Sequence, residues 1–155
     1  AGVRILVESV RLKPGKPLVF GVSEHGKLVF GLPGNPVSTM VTFELFVRTA
    51  IARLEGAVEP IRPLLLARLS ARLASRGSRR AYLPGWVRVT KGGEPIATPI
   101  RTLGSGDIVA FSKSNALLIV PEEREDLEPG EVIRFYPLDS FHSKEDRWQR
   151  ARSQN

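Results

Sequence analysis

The sequence predicts an α+β chain in which strands and one long helix are followed by a small all-β sandwich or barrel. Apolar residues recur at helical spacing from Val37 to Leu54, which is the clearest helix of the chain. Beyond residue 63, short β-like runs alternate with glycine-containing turns, a pattern typical of small sandwiches and barrels. The 155-residue length allows one domain or two small ones.

The first half of the chain contains three apolar runs of strand length before the helix. They cover residues 3–10, 17–22 and 27–31. A Lys-Pro-Gly-Lys turn separates the first two, and a glycine-containing loop of hairpin length separates the others. Asn35 is a good N-cap, Pro36 suits the first helical position, and Gly56 suits the end of the helix.

The second half of the chain is expected to be a separate β-domain. Glu59-Pro60-Ile61-Arg62-Pro63 cannot continue a helix and forms a stiff connector. The β-like runs that follow cover residues 64–74, 80–90, 95–99, 107–111, 116–121 and 132–137. The first of them, rich in leucine and arginine, is also compatible with a helix. The predicted division is therefore an α/β part at 1–58, a linker at 59–63, a β-domain at 64–139 and a basic, flexible tail at 140–155.

Composition excludes several kinds of site. The chain has no cysteine and only two histidines, so disulfides, thiolate metal sites and thiol nucleophiles are absent. No stretch approaches the roughly 20 apolar residues of a membrane span, and the first residues lack a secretory layout, so we expect a cytoplasmic protein. The net charge of +7 favours an anionic partner, such as nucleic acid, a phosphorylated metabolite or an oxyanion.

Three loops contain residue types that could bind an anion. Gly31-Leu32-Pro33-Gly34-Asn35-Pro36 links a strand to a helix, where free backbone N–H groups and the helix dipole attract anions. Lys13 and Lys16 flank a Pro-Gly turn, and Ser105 lies in a glycine-flanked turn. Each loop also has a purely structural interpretation, respectively a well-capped helix, a solvated surface turn and a connection between strands.

The order of these motifs resembles the MoeA/gephyrin family, the molybdopterin molybdenumtransferases. The similarity begins with Lys13-Pro14-Gly15-Lys16-Pro17 and continues through Val29-Phe30-Gly31-Leu32-Pro33-Gly34-Asn35-Pro36-Val37-Ser38. Downstream, Gly104-Ser105, Ser114-Asn115-Ala116-Leu117 and Leu127-Glu128-Pro129-Gly130-Glu131-Val132 resemble the family's C-terminal domain. The resemblance covers residues 2–138 and implies the end of a MogA-like α/β domain followed by a barrel-like C-terminal domain.

The resemblance also implies an activity. Family members insert molybdate into adenylated molybdopterin and release AMP in molybdenum cofactor biosynthesis, with the help of Mg²⁺, and act as homodimers. The family's glycine-rich nucleotide loop and acidic magnesium ligands precede the part that this sequence resembles. The sequence therefore looks like the C-terminal part of a longer enzyme and is expected to be inactive alone, with no metal ligands of its own.

Site residues follow from the same resemblance. Lys13 and Lys16 match the family's basic turn and would bind molybdate or phosphate, while Ser105 would contribute to the oxyanion site from the C-terminal domain. The matching helix-entry residues, which would line the same pocket, are Pro33, Gly34, Asn35, Pro36 and Ser38. One departure is that Pro84 stands nearest to the position where many relatives have an arginine, for which Arg79 or Arg80 would substitute.

Two other functions remain open at this stage. A basic nucleic-acid-binding β-domain would account for the pI near 10.4 and the 17 arginines. Against it, the strands show no interleaved aromatic residues on which bases would stack. A non-catalytic scaffold is the other alternative, since gephyrin-like relatives bind receptor peptides through this region.

Overall fold

The computed structural model describes residues 2–75, 77–104 and 106–138. Its first part is an antiparallel sheet of three strands and one continuous helical stretch. In chain order the strands are β1 (Val3–Val7), β2 (Leu12–Lys13), β3 (Val19–Ser23) and β4 (Leu28–Gly31). The sheet order is β1-β3-β4, and β2 lies outside this sheet. The three predicted strands are therefore present, and β2 is an addition.

The helical stretch contains three segments. They are α1 (Pro36–Thr42), a π-helical segment (Phe43–Val47) and α2 (Arg48–Leu54). The stretch begins where the sequence predicted, because the Asn35 side chain accepts hydrogen bonds from the first-turn amides and Pro36 occupies the first turn. It ends before Gly56, whose φ of +90° is a conformation that glycine adopts readily.

The second part is a closed barrel of five strands with a small two-stranded ribbon beside it. Its strands are β5 (Leu65–Leu69), β6 (Leu73–Ala74), β7 (Arg80–Val89), β8 (Pro95–Pro99), β9 (Ala116–Val120), β10 (Asp126–Leu127) and β11 (Val132–Pro137). The barrel order is β7-β8-β5-β11-β9, and pairing of β9 with β7 closes it. The ribbon consists of β6 and β10. The predicted α+β class is thus confirmed, with a barrel rather than a sandwich.

The barrel encloses a core of aliphatic side chains and one phenylalanine. Every residue of β9 is buried. Residues of a barrel strand alternate between the inner and outer faces, and here Leu118 and Val120 lie in the barrel core while Leu117 packs with Val37 and Val41 of the helix. Gly85 faces this strand so closely that a Cβ atom there would lie 2.4 Å from Cγ of Leu118. The buried cluster consists of Ala67, Leu69, Leu73, Ala81, Val87, Ala97, Ala116, Leu118, Val120, Leu127, Ile133 and Phe135.

Two local predictions are settled by the structure. The run 64–74 forms the strands β5 and β6, not a helix. The strand predicted over 107–111 is wrong, because residues Ile108–Ser112 form the short helix α3. The Asp107 side chain accepts a hydrogen bond from the amide of Ala110 at 3.0 Å and so caps this helix.

The two parts of the chain pack against each other. Strand β2 pairs in parallel with β7, with Leu12 opposite Arg80 and Lys13 opposite Ala81. The Tyr136 hydroxyl donates to the carbonyl oxygen of Glu44 at 2.8 Å. A second buried cluster draws on both parts and contains Leu12, Val37, Val41, Phe111, Leu117 and Tyr136. In the part of the chain that the structure describes, no helix is long and apolar enough to cross a membrane.

Candidate functional site

The basic turn lies between α1 and the barrel. Its first lysine, Lys13, belongs to β2 and is therefore attached to the edge of β7. Gly15 is buried, with φ of +119°, and a Cβ atom there would lie 2.5 Å from Cγ2 of Thr42. The amide of Val10 donates to the carbonyl oxygen of Lys16 at 3.0 Å and closes the loop. The turn is thus held by contacts with the barrel, the helix and its own chain.

The helix entry is strongly capped. Asn35 Oδ1 accepts hydrogen bonds from the amides of Val37 at 3.1 Å and Ser38 at 3.3 Å. The Thr39 hydroxyl donates to the carbonyl oxygen of Pro33, which is buried. Two first-turn N–H groups that would attract an anion are therefore already used by the cap. The structure therefore favours a capping role for Pro33, Asn35 and Pro36, of which Pro36 occupies the first position of α1. Direct contact of a ligand with the amides of Val37 and Ser38 is less favoured.

Ser38 is a helix-entry residue that lies beside the basic turn. It is buried, and its carbonyl oxygen lies 3.7 Å from the position that a Cβ atom on Gly15 would occupy. Gly34, by contrast, is exposed, and nothing lies within 4 Å of the position of its Cβ atom. The structure therefore brings Ser38 to the turn and leaves Gly34 on the surface.

A cavity of about 250 Å³ lies where the basic turn meets the barrel. Its described lining comes from the turn, from β6 and the residue after it, from β7, and from the segment around α3. The lining residues are Lys13, Pro14, Ala74, Ser75, Leu83, Thr102, Gly104 and Phe111. The volume is slightly below the roughly 300 Å³ at which small-molecule sites usually begin, so the cavity suits a small ligand or one group of a larger one.

The barrel side of this cavity is the loop before α3. The Thr102 hydroxyl donates to the carbonyl oxygen of Gly104 at 2.9 Å and fixes the loop. Asp107 accepts hydrogen bonds from the amides of Ala110 and Leu103, which lower the pKa of its carboxyl group. Ser105, the serine predicted to contact the ligand, lies outside the described residues. Its neighbour Gly104 lines the cavity that Lys13 also lines.

The two arginines proposed as substitutes have different surroundings. Arg79 Nη1 donates to the carbonyl oxygen of Leu12 at 3.3 Å and so reaches the basic turn. Arg80 pairs with Glu122 at 3.4 Å and lines a separate cavity of about 340 Å³. Pro84 is fully buried in β7, opposite Leu117 of β9. Of the two, Arg79 has the side chain that hydrogen-bonds to β2 beside the basic turn, whereas the side chain of Arg80 pairs with Glu122.

Sequence reasoning missed five residues of the cavity, namely Ala74, Ser75, Leu83, Thr102 and Phe111. They come from distant parts of the chain and carry no common motif, so no local sequence signal could have grouped them. The described lining combines one ammonium group and two hydroxyls with aliphatic and aromatic carbon. Such an arrangement can bind an anionic group that carries an apolar part. It offers no paired nucleophile and base among the described lining residues.

Comparison with known protein families gives two matches in the order of the chain. Residues 1–53 match a family described as "Probable molybdopterin binding domain". Residues 66–138 match the "MoeA C-terminal region (domain IV)". The boundary between the two matches falls at the connector that precedes the barrel.

Individual relatives agree with these matches. The chain is 32% identical over 130 residues to the molybdopterin molybdenumtransferase of Haemophilus influenzae, covering 83% of this chain and 32% of that protein. It is 31% identical over 123 residues to the corresponding protein of a Nostoc species, covering 77% of this chain and 28% of that protein. It therefore spans about a third of the length of these curated relatives.

Solved structures show the same similarity. A molybdopterin biosynthesis MoeA protein from Pyrococcus horikoshii superposes with a TM-score of 0.69 at 33% sequence identity. The superposition covers 88% of this chain and 32% of that one. Fold and sequence thus point to the same group of proteins.

Proposed function

Because the chain belongs to the MoeA family of molybdopterin molybdenumtransferases, we propose that it supplies part of the site that inserts molybdate into adenylated molybdopterin, with release of AMP. One observation carries the proposal. Lys13 of the basic turn and Gly104 of the Gly-Ser turn, which are 91 positions apart, line the same cavity. Molybdate is a tetrahedral dianion, and an ammonium group beside hydroxyl and backbone donors suits such a ligand.

In the proposed mechanism these residues bind and orient the substrates. Lys13 and Lys16 attract the oxyanion, and Ser38, beneath the turn, helps to shape its binding position. The capped helix entry, with Pro33, Gly34, Asn35 and Pro36, fixes the position of the helix relative to the turn. Ser105 contributes a hydroxyl from the barrel side. The molybdopterin brings its own dithiolene ligands for the metal, so the chain needs no thiol for this step.

The proposal for the whole protein also includes a homodimer in the cytoplasm and assistance by Mg²⁺. Among the described residues, no group of three or more acidic or histidine side chains could hold a metal ion. These residues therefore do not fit a magnesium site. The dimer is checked by measuring the molar mass of the full-length protein in solution by light scattering.

The division into an α/β part at 1–58, a linker at 59–63, a barrel at 64–139 and a tail at 140–155 is likewise proposed. The two family matches, at 1–53 and 66–138, support it. The linker is not free of the barrel, because Arg62 Nη1 donates to the carbonyl oxygen of Pro137 at 3.1 Å. The tail lies outside the described residues, as does Asp139.

The nucleic-acid alternative is not favoured by the barrel surface. Four of its arginines form ion pairs with acidic side chains, for example Arg68 with Glu94 at 2.7 Å and Arg124 with Glu131 at 2.9 Å. Among the described residues, these carboxylates stand beside the arginines that a phosphate backbone would contact, which disfavours binding of nucleic acid there.

The proposed function is tested with a chimera in which this chain replaces the matching segment of the Haemophilus influenzae relative. We expect molybdate-dependent release of AMP from adenylated molybdopterin, and none from the 155-residue chain alone. Lys13→Ala and Lys16→Ala should each lower the rate at least about tenfold, since a hydrogen bond to a charged group contributes about 1.5–3 kcal/mol.

Lys27→Ala is the matched control, because Lys27 is an exposed lysine of the same part of the chain at a hairpin outside the cavity. Its variant should release AMP at the rate of the unmodified chimera. Unchanged rates in both Lys13→Ala and Lys16→Ala would refute the role of the basic turn.

A further inference from the structure

Ser75 is a buried serine whose hydroxyl has no visible structural role. The residue is only 6% exposed, and its Oγ atom has no hydrogen-bond partner among the residues that the structure describes. Buried polar side chains are nearly always hydrogen-bonded, since an unpaired group loses its water without compensation. A buried serine in this state calls for a partner other than the residues that the structure describes.

The position of Ser75 is fixed by its backbone. It directly follows β6, whose Ala74 pairs with Asp126 of β10. Its own amide donates to the carbonyl oxygen of Glu125 at 2.7 Å. Hydrogen bonds thus fix the main chain on both sides of Ser75. Its Oγ atom is inaccessible in the observed rotamer, so a rotation about χ1 to another staggered rotamer brings the hydroxyl to the cavity.

Ser75 lines the same cavity as Lys13. The cavity wall near it is apolar, with Ala74, Leu83 and Phe111. In such surroundings a hydroxyl donor is most effective towards a charged acceptor, because a low local dielectric strengthens the hydrogen bond. Position 84 supplies no guanidinium group to the cavity, because the residue there is a proline.

We propose that the hydroxyl of Ser75 donates a hydrogen bond to the tetrahedral oxyanion group that Lys13 attracts into this cavity. The inference rests on the proposed function and adds to it a binding residue from the barrel side that no motif indicated. The oxyanion is either molybdate itself or the phosphate group of the cofactor, which share charge and shape. Ser75 binds the ligand and takes no part in bond making.

The test measures binding of sodium molybdate and of inorganic phosphate to the 155-residue chain by isothermal titration calorimetry. Ser75→Ala should weaken binding of one of the two anions about tenfold, the effect of losing about 1.4 kcal/mol. The anion that is affected identifies which group occupies the cavity. Ser112→Ala is the matched control, because Ser112 is exposed and its hydroxyl donates only to the carbonyl oxygen of Val109.

Thermal unfolding separates a ligand role from a structural one. Because the Ser75 hydroxyl has no hydrogen-bond partner among the described residues, Ser75→Ala should leave the unfolding midpoint unchanged or raise it. A lowered midpoint with unaltered affinity for both anions would overturn the inference and assign Ser75 to the fold.

Lys13→Ala distinguishes the two proposals. If Lys13→Ala weakens anion binding and Ser75→Ala does not, the proposed function stands and the inference about Ser75 fails. If Ser75→Ala alone weakens binding, the assignment of Lys13 fails while the role of Ser75 is supported. A chain that binds neither anion contradicts both.

Discussion

Gly15 is the residue on which the geometry of the basic turn depends. Its φ of +119° is a conformation that side chains rarely allow. An added Cβ atom would meet Cγ2 of Thr42 at 2.5 Å and Cδ1 of Leu12 at 2.8 Å. The turn can therefore approach α1 only because this residue has no side chain, and the two lysines beside it are positioned by that approach.

Gly15→Ala should lower the free energy of unfolding by about 1–3 kcal/mol, the usual cost of a residue held in an unfavourable backbone region. Urea unfolding measures the change. Adding Thr42→Ser removes the methyl group that clashes and should restore part of the loss, while the backbone strain remains. Gly34→Ala is the control, since that position has open space, and should change stability by no more than about 0.5 kcal/mol. Equal stability of Gly15→Ala and Gly34→Ala would contradict this explanation.

At the level of elements, the sequence predicts long segments better than short ones. The strand pattern and the long helix with its Asn35 cap are present where apolar periodicity indicated them. Helix α3 was missed, because five residues with a continuous apolar run do not distinguish a helix from a strand. Strand β2 has only two residues, and its pairing with β7 is a tertiary contact without a local signal.

The cap of α3 provides a prediction about pH. Hydrogen bonds from the amides of Ala110 and Leu103 lower the pKa of Asp107, so the folded state favours the ionised carboxylate. The stabilisation is present above the ordinary pKa of an aspartate, about 3.9, and is lost as the pH falls through the lower folded pKa. Asp107→Asn keeps a capping acceptor without a charge, so its midpoint should depend less on pH in this acidic range than that of the parent chain. Thermal unfolding at several pH values checks this, and parallel curves for the two proteins would exclude the contribution.

The contacts that line the cavity explain which residues of the site could not be predicted from the sequence. Lys13, Lys16 and the Gly-Ser turn were identified from motifs, each within a few consecutive residues. Ser75 and Phe111 reach the cavity only after the barrel has closed and α3 has formed. When a binding site is built from several elements, the sequence therefore predicts only those of its residues that lie in short motifs.

For the molecule as a whole, the division predicted at residues 59–63 does not separate two independent cores. The buried cluster beside α1 combines Val37 and Val41 of the helix with Leu117 and Tyr136 of the barrel. Strand β2 extends the barrel sheet from the first part of the chain. Elements that share buried apolar surface in this way are expected to unfold together.

This shared core should make unfolding a single cooperative transition. In a Trp148→Phe background, Trp86 of β7 is the only tryptophan and reports on the barrel, while far-ultraviolet circular dichroism at 222 nm reports mainly on the helical stretch. The two signals should give the same urea midpoint. Tyr136→Phe removes the hydrogen bond to the Glu44 carbonyl oxygen and should lower the free energy of unfolding by about 1 kcal/mol. Both midpoints should then fall to the same lower urea concentration. If the helical signal is lost at a lower urea concentration than the tryptophan signal, the two parts fold separately, and the cavity between them depends on docking of two finished units.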